Sequence, residues 1–313
     1  MKVRSYIHRI ALSFSVSMGS LIIGLPRASQ AQSLEEMAVM AMEIGQDDLV
    51  SRAIERGANV NGRVGDFSLL GHAVINQRIG AAAALIRRGA DVNLMTGPSN
   101  QQRTPLAIAL QTTRRDYDMF DVTIGLLRLG ADSKTMQALP ARTAIDFAHV
   151  TLFQAVISAG GSPSDPGPGG RMVFHIATEA TANALRRALT GCDRSQVDRF
   201  RALSNILDIS ISEGADLNRP INGRPLLSYA LSNGLFGFAE AIVAGGASPT
   251  QVGSDNQRPL QISYAYAMPP GERCANSTNP SEEPAWRTAF RSEIATAKEQ
   301  MVARLLRIML QRS

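Results

Sequence analysis

The chain repeats a short phrase that begins with glycine. Full copies are Gly57-Ala58-Asn59-Val60-Asn61, Gly89-Ala90-Asp91-Val92-Asn93, Gly130-Ala131-Asp132 and Gly214-Ala215-Asp216-Leu217-Asn218, and weaker copies are Gly160-Gly161-Ser162-Pro163 and Gly246-Ala247-Ser248-Pro249. The intervals from Gly57 to Gly89 and from Gly214 to Gly246 are both 32 residues. A fixed period of this size is typical of a solenoid, in which each small unit packs only against its neighbours.

A helical pattern precedes each of these glycines. Counting back from Gly57 by 8, 7, 4 and 3 residues gives Leu49, Val50, Ala53 and Ile54, and the other copies give similar, mostly apolar sets. This spacing predicts a helix with one buried stripe. The glycine after the stripe suits a left-handed cap, so we expect each helix to stop there.

A second phrase follows the glycines by 11 to 15 residues. Its copies are Ser68-Leu69-Leu70-Gly71-His72-Ala73, Thr104-Pro105-Leu106-Ala107-Ile108-Ala109, Thr143-Ala144-Ile145-Asp146-Phe147-Ala148, Met172-Val173-Phe174-His175-Ile176-Ala177 and Pro225-Leu226-Leu227-Ser228-Tyr229-Ala230. Thr followed by Pro indicates the N-cap and first turn of a helix. Each unit is therefore predicted to contain a helix, a turn, a second helix, a glycine stop and an extended finger.

This layout resembles that of ankyrin repeats from about Leu34 to Ser263. The resemblance implies an all-α solenoid of about seven helix-turn-helix units with a C-terminal capping helix. The expected units are 34–67, 68–103, 104–142, 143–171, 172–224, 225–257 and 258–313. Thr143 to Gly160 spans only 17 residues, whereas Met172 to Gly214 spans 42. We therefore expect insertions in the fifth unit, as about two helical segments, and in the last unit.

The first 31 residues have a different character. Basic residues stand near Met1, an uncharged run covers 10–25, and small residues end the segment at Ala31. This order predicts a secretory signal peptide over 1–31, with a mature domain at 32–313. An uncleaved anchor is the alternative, although an uncharged run of 16 residues is short for a bilayer. We expect a periplasmic or secreted protein without stable membrane insertion after cleavage.

Cleavage would change the net charge. The full chain carries +5, and residues 1–31 hold four basic and no acidic residues, which leaves +1. A nearly neutral domain does not indicate nucleic-acid binding.

Cys192 and Cys274 are the only two cysteines in the chain. Both fall in the expected insertions, which project from the same end of the stack with one regular unit between them. Export places them in an oxidising compartment, and an even cysteine count there favours a disulfide. Two unpaired thiols are the alternative.

The sequence offers little for catalysis or for a cofactor. The predicted mature domain has three histidines, His72, His149 and His175, and none has metal-ligand spacing to Cys, Asp or Glu. The ankyrin resemblance gives His175 a structural role, and we place the other two on helices. No phosphate loop or nucleophile motif is present. Asn276-Ser277-Thr278 matches a glycosylation sequon.

One pattern indicates a binding edge. Five arginines stand immediately before the second phrase or at it, and Phe67 holds the equivalent place in the second unit; the arginines are Arg103, Arg142, Arg171, Arg224 and Arg258. Equivalent positions stack in register, so we expect an arginine ladder on the concave side, suited to carboxylates, with an exposed Phe67 as anchor. Structural arginines paired with a neighbouring finger are the alternative.

These features predict a non-enzymatic, exported scaffold that binds another protein, one with an acidic surface. A secreted effector that binds a host or competitor protein is the second interpretation. An enzyme that uses the insertions near Cys192 and Cys274 is a remote third. A fold by itself implies only a mode of action.

Overall fold

A computed structural model describes residues 33–113, 119–133, 136, 138–252, 256–272, 274 and 283–312. The predicted signal peptide, its cleavage site before Gln32 and the sequon Asn276-Ser277-Thr278 lie outside these residues. Residues from Leu34 onward form one compact unit.

The described residues contain fourteen helices in seven consecutive pairs. The pairs are α1 (Leu34–Glu43) and α2 (Asp47–Glu55), α3 (Leu69–Ile75) and α4 (Ile79–Arg87), α5 (Pro105–Thr113) and α6 (Phe120–Arg128), α7 (Leu139–Asp146) and α8 (Val150–Ser158), α9 (Val173–Thr190) and α10 (Ser195–Ser212), α11 (Leu226–Ser232) and α12 (Phe236–Ala244), and α13 (Pro259–Ala265) and α14 (Ala285–Arg312). Two short antiparallel strands, β1 (Arg63–Val64) and β2 (Phe67–Ser68), form one finger. The predicted all-α solenoid of helix-turn-helix units is confirmed.

The helices stack in two layers. Each second helix packs on the second helix of the next unit, in the order α2, α4, α6, α8, α10, α12 and α14. First helices pack likewise, as in α1 on α3, α3 on α5, α7 on α9 and α11 on α13. The core therefore runs continuously between the layers, and a unit is stabilised mainly by its neighbours.

The predicted apolar stripes lie in this core. Before Gly89, Ala81, Ala82 and Leu85 are fully buried. Leu49 is an exception, with 41% of its surface exposed. It belongs to the first described unit, and none of the described units precedes it.

Gly89 shows why these second helices end where they do. Its φ is +85°, a left-handed conformation that side chains with a Cβ adopt only at a cost. The turn lets the Gly89 and Ala90 amides donate to the carbonyls of Ile86 and Leu85, each at 3.0 Å. These bonds satisfy carbonyl groups that a helix end would otherwise leave free.

The predicted start of the fourth unit was wrong. Its first helix begins at Leu139, with Pro140 in the first turn, so Thr143 lies inside α7. The Thr143 hydroxyl is buried without a hydrogen-bond partner rather than capping the helix. From Leu139 to Gly160 is 21 residues, the same spacing as from Ser68 to Gly89 and from Pro225 to Gly246. The short unit inferred from Thr143 therefore does not exist.

The insertion of about two helical segments expected in the fifth unit takes the form of longer helices. It lengthens both helices of the pair, so that α9 and α10 each have 18 residues. In the last unit, the capping helix α14 extends over 28 residues. None of the described helices is both long and apolar enough to cross a membrane.

The predicted disulfide between Cys192 and Cys274 is present. Cys192 follows the end of α9, and Cys274 precedes α14. Beside the bond, the guanidinium of Arg287 is almost fully buried and donates to the carbonyls of Thr190 and Glu272 at 3.0 Å. The disulfide thus joins the fifth unit to the seventh.

Candidate functional site

Four of the predicted binding residues occupy one structural position. Phe67, Arg103, Arg171 and Arg224 each lie two residues before the first residue of α3, α5, α9 and α11, respectively. Arg258 stands one residue later in its unit and is the N-cap of α13. Arg142 departs from the pattern because it is the fourth residue of α7, and its guanidinium faces the carboxylate of Asp146 at 3.8 Å.

Hydrogen bonds within each finger fix the backbone at this position. Arg103 exchanges two bonds of 2.9 Å with Thr96, and Arg224 exchanges two of the same length with Ile221. The Arg171 carbonyl accepts from the Gly167 amide at 2.7 Å. Each finger therefore closes as a narrow hairpin, which places these arginines just before the first helix of a unit.

The arginine side chains turn toward their own first helices. Arg103 donates to the side-chain oxygen of Gln111, and Arg171 donates to Glu179 at 2.6 Å. Both partners lie eight residues after the arginine. Arg103 and Arg171 remain exposed, and the Arg171 side chain is 52% exposed. The contacts therefore orient the guanidinium groups without burying them.

A polar cluster between the fifth and sixth units was missed by the sequence analysis. Glu179 accepts from Arg171 and also from the side-chain amide of Asn222, at 3.2 Å. Burial raises the pKa of the nearby Tyr229, and the negative charge of Glu179 adds to the shift. The one available signal was that Glu179 follows Arg171 by two helical turns.

Phe67 is half-buried, which corrects the expectation of a freely exposed anchor. Its ring packs edge-on against His72, with ring centroids 5.6 Å apart. The Nε2 atom of His72 lies 2.9 Å from the carbonyl oxygen of Val64 in the same finger. The finger thus holds the ring in place, with one side still open to solvent.

The other two histidines have structural environments. His175 is buried in α9 with 7% exposure, and this burial lowers its pKa, which favours the neutral ring. His149 was predicted to lie on a helix, but it precedes α8, where its Nδ1 accepts from the Leu152 amide at 3.1 Å. Across the described ranges, no group of three His, Cys, Asp or Glu side chains could hold a metal ion.

The repeated asparagines of the first phrase link successive fingers, a role that the sequence analysis did not assign. The side-chain oxygen of Asn61 accepts from the Asp91 amide at 2.7 Å, and that of Asn93 accepts from the Asp132 amide at 2.8 Å. The Asn93 amide group also donates to the Gly130 carbonyl at 3.1 Å. Each asparagine thus holds the finger of the following unit.

No family model and no curated protein matches this sequence. Among solved structures, the chain is similar to the ankyrin repeat domain of human ASB11, with 17% sequence identity and a TM-score of 0.40. The match covers 82% of this chain and 100% of that one. The helix pairs, glycine stops and fingers described above make the architecture an all-α ankyrin-repeat solenoid.

Proposed function

We propose that this chain is an exported, periplasmic scaffold that binds another protein along the edge where its fingers meet its first helices. Ankyrin-repeat folds typically serve as protein-interaction scaffolds rather than as enzymes. The observation that carries the proposal is the shared backbone position of Phe67, Arg103, Arg171 and Arg224. We call these four residues the finger-base row.

The chemistry of the row favours an acidic partner. Guanidinium groups bind carboxylates through two parallel hydrogen bonds, and a half-buried aromatic ring can anchor the contact. The domain expected after cleavage is close to neutral, so Arg103 and Arg224 would concentrate positive charge on one edge, whereas Glu179 balances the charge of Arg171. Such a local array speeds the approach of an acidic partner without making the whole surface basic.

Two observations support export. The basic, apolar and small-residue order of 1–31 is that of a secretory signal peptide. The Cys192–Cys274 disulfide fits an oxidising compartment, since such bonds are rare in the cytosol. N-terminal sequencing of the native protein should find Gln32 first, and a retained Met1 would contradict export by cleavage.

The binding test begins with affinity capture from a periplasmic extract and identification of the captured protein by mass spectrometry. The variant carries Arg103→Ser, Arg171→Ser and Arg224→Ser. A control carries Ser at Arg52, Arg87 and Arg128, three exposed arginines of second helices. Both variants lose the same charge, so net charge alone cannot explain a difference between them.

We expect the row variant to bind more weakly, chiefly through slower association, and the control to bind like the wild type. Added salt should weaken wild-type binding, because it screens exposed charges. Exposed substitutions usually change stability by under about 0.5 kcal/mol each, so both variants should fold. Equal binding by the two folded variants would refute the proposed edge.

A further inference from the structure

The two long units of the array enclose a short one. In the sixth unit, α11 has 7 residues and α12 has 9, whereas α9 and α10 before them have 18 each and α14 after them has 28. The first helix of the fifth unit, α9, contacts α14 directly and so reaches past the sixth unit. The long helices therefore rise on both sides of the turn between α11 and α12.

The space above this turn is an open cavity of about 530 Å³. Its floor is the turn itself, from Gly234 to Phe236. Phe200 and Asp208 of α10 line one wall, and Glu293 and Ala297 of α14 line the other. The volume lies within the range of small-ligand sites, roughly 300–1,000 Å³.

The walls are partly fixed before any ligand arrives. The Phe200 ring packs edge-on against Phe290 of α14, with centroids 5.6 Å apart. Arg201 and Glu293 form an ion pair of 3.0 Å from one wall to the other. The disulfide and Arg287 also tie α14 to the end of α9. These cross-links hold the cavity open at a defined width.

The charges in the cavity do not balance. Arg201 and Glu293 neutralise each other, which leaves the carboxylate of Asp208. Among the described residues, the Asp208 side chain makes no hydrogen bond or ion pair. Asp208 is an exposed residue of the cavity lining, and the protein atoms around its carboxyl desolvate it in part, which raises its pKa. A carboxylate so placed is stabilised by an incoming cation.

We propose that this cavity binds an organic cation, an alkylammonium or guanidinium group on an apolar stem, with the Asp208 carboxylate as its counter-ion. The stem lies against Phe200 and Ala297, and the cation reaches Asp208. A single unpaired carboxylate does not suit a metal ion, which needs several ligands. The site is independent of the finger-base row, so either can fail without the other.

Two probes represent the two sources of such a group. Free n-butylammonium represents a small amine, and acetyl-Gly-Lys-Gly-amide represents a lysine side chain on a peptide. The neutral n-butanol serves as a control of equal stem length. Binding to the whole mature protein is followed by NMR, through the amide signals of Gly234 and Gly237 at the cavity floor.

The test variant is Asp208→Asn, and the matched control is Asp198→Asn, an exposed aspartate of the same helix outside the cavity. A charged hydrogen-bonded contact typically contributes enough that its loss should weaken cation binding by about tenfold or more. The Asp198 variant should bind like the wild type. Circular dichroism confirms that both variants keep their helices.

Saturable binding of either probe that depends on Asp208 supports the proposal and identifies the source. Three results would overturn it: binding of n-butanol as tight as that of n-butylammonium, equal binding by the two variants, or no signal change with either cation at millimolar concentration.

Discussion

Removing the Cys192–Cys274 bond should destabilise the C-terminal half of the array. The two cysteines are 82 residues apart in sequence, and the bond connects the fifth unit to the seventh across the sixth. In the unfolded chain, the cross-link closes a large loop and removes conformational freedom that folding would otherwise cost. The perturbation is the double variant Cys192→Ser and Cys274→Ser.

The loop length sets the magnitude. The chain-entropy relation gives about 4.5 kcal/mol for a loop of this size, and measured disulfides typically contribute about 2–4 kcal/mol. We expect a loss within this measured range, because the cross-link acts mainly by restricting the unfolded chain.

Urea unfolding followed by circular dichroism measures the change in free energy of unfolding. Hydrogen exchange then localises it, and the loss of protection should concentrate in α9 to α14. Reductant should shift the wild type to the stability of the double variant and leave that variant unchanged. A loss below about 1 kcal/mol, or a uniform loss along the array, would refute the reasoning.

Three further predictions concern single residues. Asp208→Asn should raise the melting temperature at pH 7. The folded state raises the pKa of this carboxyl, so its ionisation destabilises the fold as the pH rises. The gain in melting temperature should shrink toward about pH 4, where the carboxyl of the unfolded chain takes up its proton. A gain that is the same at all pH values would contradict this. Gly89→Ala should destabilise the fold by about 1–2 kcal/mol, because φ at this position is +85°. Gly125→Ala should instead stabilise it by up to about 1 kcal/mol, because Gly125 lies inside α6 with open space around it. Thermal melts of the two variants measure both changes. Arg287→Met should lower the free energy of unfolding in urea by about 2–4 kcal/mol, since it leaves two carbonyls without their charged donor. Arg287→Lys should restore only part of this loss. Full stability of the Met variant would show that these bonds contribute little.

The repeat pattern was predictable because glycine stops and apolar stripes are local. Gly89 and the stripe before it specify one helix end without reference to the rest of the chain. The disulfide could also be predicted from the sequence, since the chain has only two cysteines and both fall in insertions.

The fourth unit shows where the sequence reasoning failed. The second phrase of this unit was expected to begin at Thr143, but Pro140 in the first turn and the 21-residue spacing to Gly160 place the start at Leu139. Arg142 was therefore predicted at the finger base but lies inside α7.

The cavity beside Asp208 was beyond sequence reasoning for a different reason. Its walls come from α10 and α14, which are far apart in sequence, and its depth depends on how much longer these helices are than α12. The sequence showed that the fifth unit has extra residues, but it did not show their secondary structure, because an insertion can lengthen two helices or add separate ones.

The asparagine hydrogen bonds make one part of the array stiffer than the rest. Asn61 and Asn93 each hold the backbone of the next finger, so the first three fingers are coupled in series. The fourth copy has Gly160-Gly161-Ser162-Pro163 in place of the full phrase, and there the Ser162 amide donates to Asp165 within its own finger. Bending should therefore concentrate after the third finger, so the stiff N-terminal part of the edge can change its angle to the cross-linked fifth to seventh units when a partner binds.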